Sequence, residues 1–327
     1  LAGVPVSIKD TIEMAGLPTT YGSLAFRDNV QPDAELVRRL RQAGAVLLGK
    51  TNTPEFALHV AVDNRLGPPG TNPWNLEHTC GGSSGGAASA VAAGLGPIGV
   101  GTDSGGSIRL PAAFNGLVGF KPTAARVSMA GCFPLSASLD SIGPLANKVS
   151  CCAILDQIMS NSPALGQVAP SDVSIVVPTN VIDWGLDAEV ARAFDRTIVT
   201  LHDHGLPITY AKVDLIDEAD EINGESILSV YECYRNHEAW INDPASPYDP
   251  MVRARIMPGQ SIPEARYREV LNRRRAITRD FQALFRDRTF MATPTVSIVP
   301  PRIRDLADEK VYRRINRQVL RTTSLAN

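Results

Sequence analysis

Apolar runs of strand length alternate with helix-length patterns along almost the whole chain, and few architectures accommodate that order. Residues 4–8, 45–48 and 98–101 read as strands, whereas 33–43, 84–93 and 107–114 read as helices. After a Ser- and Pro-containing loop at 160–171, which could divide two subdomains, a strand at 173–177, a helix at 187–204 and a strand at 208–213 repeat the scheme. Residues 218–288 read as mainly helical, broken at 242–250 by three prolines, and 290–292 returns to a strand before Pro294. The alternation predicts an α/β fold, a sheet with helices on both faces. A chain of 327 residues that is 44% apolar can bury a large core, which excludes disorder and collagen and fits one or two domains.

Charge and cysteine usage narrow the setting. The five cysteines, Cys80, Cys132, Cys151, Cys152 and Cys233, are odd in number and show no metal-ligand spacing. They read as free thiols in a reducing compartment, so a cytoplasmic location is expected, with no metal. No apolar run reaches the roughly 18 residues that span a bilayer, so no membrane partner is expected. Residues 260–327 hold 15 Lys and Arg against 7 Asp and Glu. In the stretch 263–288, Arg266, Arg268 and Arg273 share a helix pattern with Glu264, Glu269 and Asp280, beside the apolar Tyr267, Val270, Leu271, Ile277 and Phe281. That is a solvated helix face, and no direct nucleic-acid contact is expected of it.

Three familiar motifs fail on context. Gly44-Ala-Val-Leu-Leu-Gly49-Lys50-Thr51 spells a P-loop, yet its variable positions form the strand that should precede the first glycine. Gly94-Leu-Gly96-Pro-Ile-Gly99 spells a dinucleotide fingerprint but follows a helix and precedes a strand, the reverse of the required order. Gly81-Gly82-Ser83-Ser84-Gly85 fits a nucleophile elbow, but the preceding run, 71–80, carries Pro73 and reads as a loop. His202, His204 and His237 read as exposed residues on polar helix surfaces. Cys80, beside the glycines and two residues from His78, reads as an inert thiol.

Two glycine-rich serine segments carry the chemistry. Gly81-Gly82-Ser83-Ser84-Gly85-Gly86 and Gly101-Thr102-Asp103-Ser104-Gly105-Gly106-Ser107-Ile108-Arg109 are separated by one helix and one strand, with Ser83 and Ser107 24 positions apart. Such a compact unit can place its two loops together. A helix opening at Ser107 would let the backbone N–H groups of Ser104, Gly105, Gly106 and Ser107 converge on one anionic oxygen, an oxyanion hole. Lys9 ends the strand Gly3-Val-Pro-Val-Ser-Ile-Lys9-Asp10, where Val4, Val6 and Ile8 share one face. Only 6 of the 32 basic residues are lysines. Where arginine is so favoured, a strand-end lysine hints at a group that must lose its proton.

These segments, with Gly49-Lys50-Thr51-Asn52, Leu110-Pro111-Ala-Ala-Phe114, Gly119-Phe-Lys-Pro-Thr123 and Ser138-Leu-Asp140-Ser-Ile-Gly143-Pro144, resemble the amidase signature family over residues 3–147. The likeness is looser from residue 170 onward, where Met291-Ala-Thr-Pro294 looks like a late family strand. The resemblance implies a single α/β domain over 1–327, a mixed β-sheet with helices on both faces. Its catalytic core motifs would lie in 1–147 and a mainly helical, substrate-side segment in 218–288. It implies an amidohydrolase that cleaves a carboxamide C–N bond through a seryl acyl-enzyme, without a cofactor. Ser107 maps to the nucleophile, Ser83 to a proton-relaying serine and Lys9 to the base. A cis peptide is implied before the relay serine, at Gly82-Ser83, and Asp103 and Arg109 map to positions that hold the nucleophile loop.

Met129, Cys132 and Phe133 are candidates for an apolar substrate wall. The partner expected is a small-molecule amide, with a homodimer compatible with the reading. Two other functions stay open: the glutaminase subunit of a tRNA amidotransferase, and a non-catalytic binding protein on the same fold. The wording around Asp187-Ala-Glu-Val-Ala-Arg192 leans toward general aliphatic and aryl-acetamide amidases. Family members generally carry a helical segment before the first strand and further sheet and helix after the last residue here. The chain is therefore expected to be a fragment lacking both ends. On that reading the apolar stripe Val311, Ile315, Val319 and Leu320 is left uncovered and the piece is prone to aggregate.

Overall fold

A computed structural model describes every residue except 164, 165, 167 and 287. Those positions include part of the loop expected at 160–171, which to that extent lies outside the described residues. The strands are β1 (Pro5–Lys9), β2 (Val46–Thr51), β3 (Thr71–Asn72), β4 (Asn75–Thr79), β5 (Ile98–Asp103), β6 (Val118–Gly119), β7 (Ser141–Ala146), β8 (Ser174–Pro178), β9 (Ile208–Ala211) and β10 (Thr289–Met291). The helices are α1 (Glu35–Gln42), α2 (Gly85–Ala92), α3 (Arg109–Phe114), α4 (Val149–Ser160), α5 (Thr179–Ile182), α6 (Ala188–Asp203), α7 (Asp214–Glu225), α8 (Ile227–Ile241), α9 (Pro250–Ile256), α10 (Glu264–Leu284) and α11 (Glu309–Leu320).

The central sheet is mixed and runs in the order β2-β1-β5-β7-β6. β1 is parallel to β2 and β5, and β7 is antiparallel to β5 and β6. A second, parallel sheet has the order β10-β8-β9. The run 71–80 is not the loop its proline suggested: β3 and β4 form a small antiparallel hairpin that turns around Pro73. Period-2 geometry on β1 decides where Lys9 goes. Val6 and Ile8 are buried on one face with Leu36, Val37 and Leu40 of α1 and Leu155 and Met159 of α4. Each such side chain contributes about 1.5–3 kcal/mol by leaving water, so a one-residue slip that exchanged faces would forfeit several of them. Ser7 and Lys9 are thereby held on the opposite face, toward α2.

Small residues let α2 lie close to that face. A Cβ on Gly101 would sit 2.5 Å from Ser84 Oγ, and one on Gly99 would sit 3.0 Å from the Cβ of Ala87. Any larger residue at Gly101 would push the start of α2, and Ser83 with it, away from β5.

Two further expectations are overturned. The stripe on α11 is covered within the chain: Tyr312, Ile315 and Val319 pack against Val60, Val296 and the α3 residues Leu110 and Phe114. His237 is not exposed. It is fully buried on α8, its Nδ1 2.9 Å from Tyr248 Oη, among Phe56, Phe133 and Tyr248. The arginine-rich helix α10 buries Val270 and Ile277, and its Arg266 and Arg273 pair with Glu225 and Glu221 of α7. No helix among the described residues is long and apolar enough to cross a membrane.

Candidate active site

Lys9 is fully buried at the carboxyl end of β1, where its Nζ donates to Ser83 Oγ at 2.7 Å and to Thr102 Oγ1 at 2.8 Å. Burial strips the ammonium of its hydration and lowers its pKa to about 7, with Asp103 and Asp140 pulling the other way. A lysine in that state is neutral in a large fraction of molecules near neutrality, which is what a base requires. Ser83 is itself fully buried, follows a cis peptide bond from Gly82, and accepts from Thr53 Oγ1 through its carbonyl at 3.1 Å. Its hydroxyl thus faces an amine, with no imidazole as partner.

The second serine loop is joined to the first through the backbone: Ser84 N–H donates to the carbonyl of Ser107 at 3.1 Å. Ser107 is half-buried, and its hydroxyl has no hydrogen-bond partner among the described residues. The helix does not open at Ser107. It begins at Arg109 and runs only six residues, because the turn ahead of it is taken up by bonds to Asp103. Buried Asp103 accepts from Gly106 N–H at 2.8 Å, from Ile108 N–H at 3.1 Å, and from Arg109 Nε and Nη2 at 3.0 and 2.9 Å. Burial opposes its ionisation, but Arg109 and these donors outweigh burial and hold the carboxyl below its usual range.

Of the four N–H groups expected in an oxyanion hole, that of Gly106 is therefore engaged by Asp103. Those of Ser104, Gly105 and Ser107 have no acceptor among the described residues. Ser104 Oγ donates to Asp140, which also accepts from Leu135 N–H at 2.9 Å and Ser136 N–H at 3.0 Å. Burial raises the Asp140 carboxyl to about 6 in spite of those donors.

The three residues named for a substrate wall divide between two regions. Cys132 pairs with Ile12 in an isolated bridge, and with Met129 it packs against the core beneath β1. Phe133 turns the other way and joins an aromatic cluster, its ring centroid 4.5 Å from Tyr21, 5.4 Å from Phe56 and 5.1 Å from His237. Cys80 is buried, and that environment pushes its thiol up to about 12, so no thiolate is available there. Lys50, the lysine of the P-loop spelling, is tied to Ile12 O, Thr19 Oγ1 and Asp10. Among the described residues no three His, Cys, Asp or Glu side chains are grouped to hold a metal.

Reading the residues in sequence missed Thr102, whose hydroxyl holds Lys9, and the contacts of the loop with Thr323 and Asn327. Asn327 Nδ2 donates to Asp103 Oδ1 at 3.0 Å, and Arg109 Nη1 donates to the carbonyl of Thr323 at 2.8 Å. Only the adjacency of Thr102 to Asp103 could have pointed to the first; no local signal marks the other two.

Known proteins share this course of the backbone. The profile of the Amidase family matches residues 1–327. A glutamyl-tRNA(Gln) amidotransferase subunit from Moorella thermoacetica is 36% identical over 94% of this chain and 71% of its own length. A solved amidase superposes with a TM-score of 0.88 at 32% identity, over all of this chain and 75% of that one. Kluyveromyces lactis allophanate hydrolase superposes with a TM-score of 0.86 at 28% identity, over all of this chain and 55% of that one. With a family match from the first residue to the last and glycine–serine loops on the same sheet, this chain belongs to the amidase signature family.

Proposed function

We propose that the protein hydrolyses carboxamides through an acyl-enzyme on Ser107, with Ser83 and Lys9 as a proton relay. The observation that carries this reading is the buried Lys9 amine, poised near neutrality 2.7 Å from Ser83 Oγ. As Ser107 Oγ attacks the amide carbon, its proton passes to Ser83, whose own proton passes to Lys9 Nζ. The carbonyl becomes an oxyanion that the open N–H groups of the 104–107 loop can bind. The relay then returns a proton to the leaving nitrogen, the C–N bond breaks, and water cleaves the ester to free the carboxylate and regenerate Ser107. Asp103 and Arg109 hold the loop and do not react.

Phe133 is the one residue of the expected substrate wall that faces aromatic neighbours, so we assign it, with Tyr21 and Phe56, to the acyl side of the site. Met129 and Cys132 serve as core beneath it. The helical stretch 218–288 supplies His237 and Tyr248 to the same cluster, which supports its substrate-side role within one domain.

A second reading is favoured by the 36% identity to the Moorella amidotransferase protein: glutamine would be the amide, and the ammonia would pass to partners in an assembly that acts on tRNA. A purely binding role is disfavoured, because keeping a lysine buried without an ion pair is costly unless its neutral form is used. A panel of carboxamides that includes glutamine, assayed for ammonia without added partners, tests the proposal. Release from simple amides supports the amidase, release from glutamine alone supports the glutaminase, and no turnover with no phosphonylation of Ser107 by a fluorophosphonate would reject both.

A further inference from the structure

The loop that bears Ser107 is clamped from a segment more than 200 residues away. Thr323 is buried, and its Oγ1 donates to the carbonyl of Gly105 at 2.6 Å, nearer than the 3.2 Å to Leu320 O behind it. That carbonyl belongs to the same peptide unit as the N–H of Gly106, which donates to Asp103 at 2.8 Å. One peptide plane is therefore held at both ends, its oxygen by Thr323 and its N–H by Asp103. Gly106 has φ +137°, and a Cβ there would lie 2.1 Å from Thr323 Oγ1, so the close approach of this threonine is built into the loop.

Turning that plane over would break two hydrogen bonds at once, one buried and one partly buried. Its fixed orientation sets the direction of the peptide units on either side, which carry the open N–H groups of Gly105 and Ser107. We propose that Thr323 is a positioning residue for the oxyanion hole: its hydroxyl fixes the Gly105-Gly106 peptide so that the N–H groups of Gly105 and Ser107 face the developing oxyanion. Arg109 supports the brace by holding the Thr323 carbonyl with the same guanidinium that binds Asp103. The inference rests on the assignment of Ser107 as nucleophile.

A purely structural threonine and an oxyanion-positioning one differ in what their loss does to ground-state and tetrahedral ligands. Thr323→Val removes the donor at nearly constant volume. It is expected to lower kcat roughly 10- to 100-fold, somewhat less than the loss of a direct oxyanion donor, while KM for a small amide stays within about twofold. Affinity for an aldehyde that adds to Ser107 should fall by a similar factor, whereas affinity for the unreactive product carboxylate should not. Thr323→Ser, which keeps the hydroxyl, should recover kcat to within about threefold. Should the valine variant not fold, Thr323→Cys, a weak donor, takes its place with a loss of the same kind.

Wild-type kcat and aldehyde affinity in the variant lacking the donor, or equal losses in the serine variant, would overturn the proposal. Ser107→Ala measured alongside separates the two levels. If it is inactive while Thr323→Val is fully active, only the role of Thr323 fails; if it stays active, the nucleophile assignment fails.

Discussion

Lys9 offers the sharpest test, because its chemistry and its thermodynamics are bound to one ionisation. In the unfolded chain a lysine titrates near 10.5, and in the fold burial lowers this one to about 7. A group whose folded pKa is depressed gives its full stability above the unfolded pKa and loses it as pH falls toward the folded one. Between pH 7 and 10 the unfolded chain binds about half to nearly one proton more than the native state, so stability rises with pH by up to about 1.4 kcal/mol per unit. At pH 7 the linkage penalty of Lys9 is then about 4 kcal/mol, and at pH 10 it is about 1 kcal/mol.

Lys9→Met removes that penalty but also two hydrogen bonds, to Ser83 and Thr102, worth about 1 kcal/mol each. The methionine variant should therefore be about 2 kcal/mol more stable than wild type at pH 7 and about 1 kcal/mol less stable at pH 10. Urea unfolding of both proteins at half-unit pH steps measures this crossing. In parallel, kcat/KM of the wild type should rise with pH through an apparent pKa of about 7, and Lys9→Arg, which keeps the charge, should be folded and inactive. A stability difference that stays flat from pH 7 to 10 would show that Lys9 keeps its proton in the fold, and the base assignment would fall with it.

Ser107→Ala should abolish labelling by a fluorophosphonate, whereas Ser83→Ala should leave slow labelling of Ser107; peptide mapping that finds the label on Ser83 in the wild type would reverse the two roles. Cys80→Ala should retain most activity, and Cys80 should resist iodoacetamide until the protein unfolds, since it is buried with its thiol pushed up to about 12; a large loss of turnover with an unchanged melting curve would bring Cys80 into the mechanism. Ile315→Ala should destabilise the protein by about 2–4 kcal/mol, as Ile315 fills the packing of α11 on α3; a change below about 0.5 kcal/mol in chemical unfolding would mean that this face is not covered in solution.

What could be read from residues alone was local. Alternation located most strands and helices, because Val6 and Ile8, or Leu36, Val37 and Leu40, repeat at the period of their own element. The glycine–serine loops announced themselves for the same reason, since close backbone approach at Gly101 and the conformation of Gly106 demand a residue type. His237 was misplaced because the buried face of α8 also carries Glu232, and both polar residues are matched by distant partners, Tyr248 for one and Ser136 and Tyr267 for the other. A helix face with such residues shows no apolar stripe. The hairpin at 71–79 escaped for lack of alternation: its Trp74 and Leu76 stay exposed, so no buried face imposes a period. Commitment of Gly106 N–H to Asp103 likewise depends on side-chain geometry that spacing cannot express.

The contact between Thr323 and the Ser107 loop also sets a clock. The 216 residues from Ser107 to Thr323 take a ribosome roughly 10–40 s to add at about 5–20 residues per second. During that interval Lys9 and both serines can already be in place on the nascent sheet, while the Gly105-Gly106 peptide is free at its carbonyl end. If Lys9, Ser83 and Ser107 act as proposed, a nascent chain that has not yet made residue 323 carries them with an unbraced receptor for the charge they would generate. On the proposed assignment, activity would await the synthesis of residue 323.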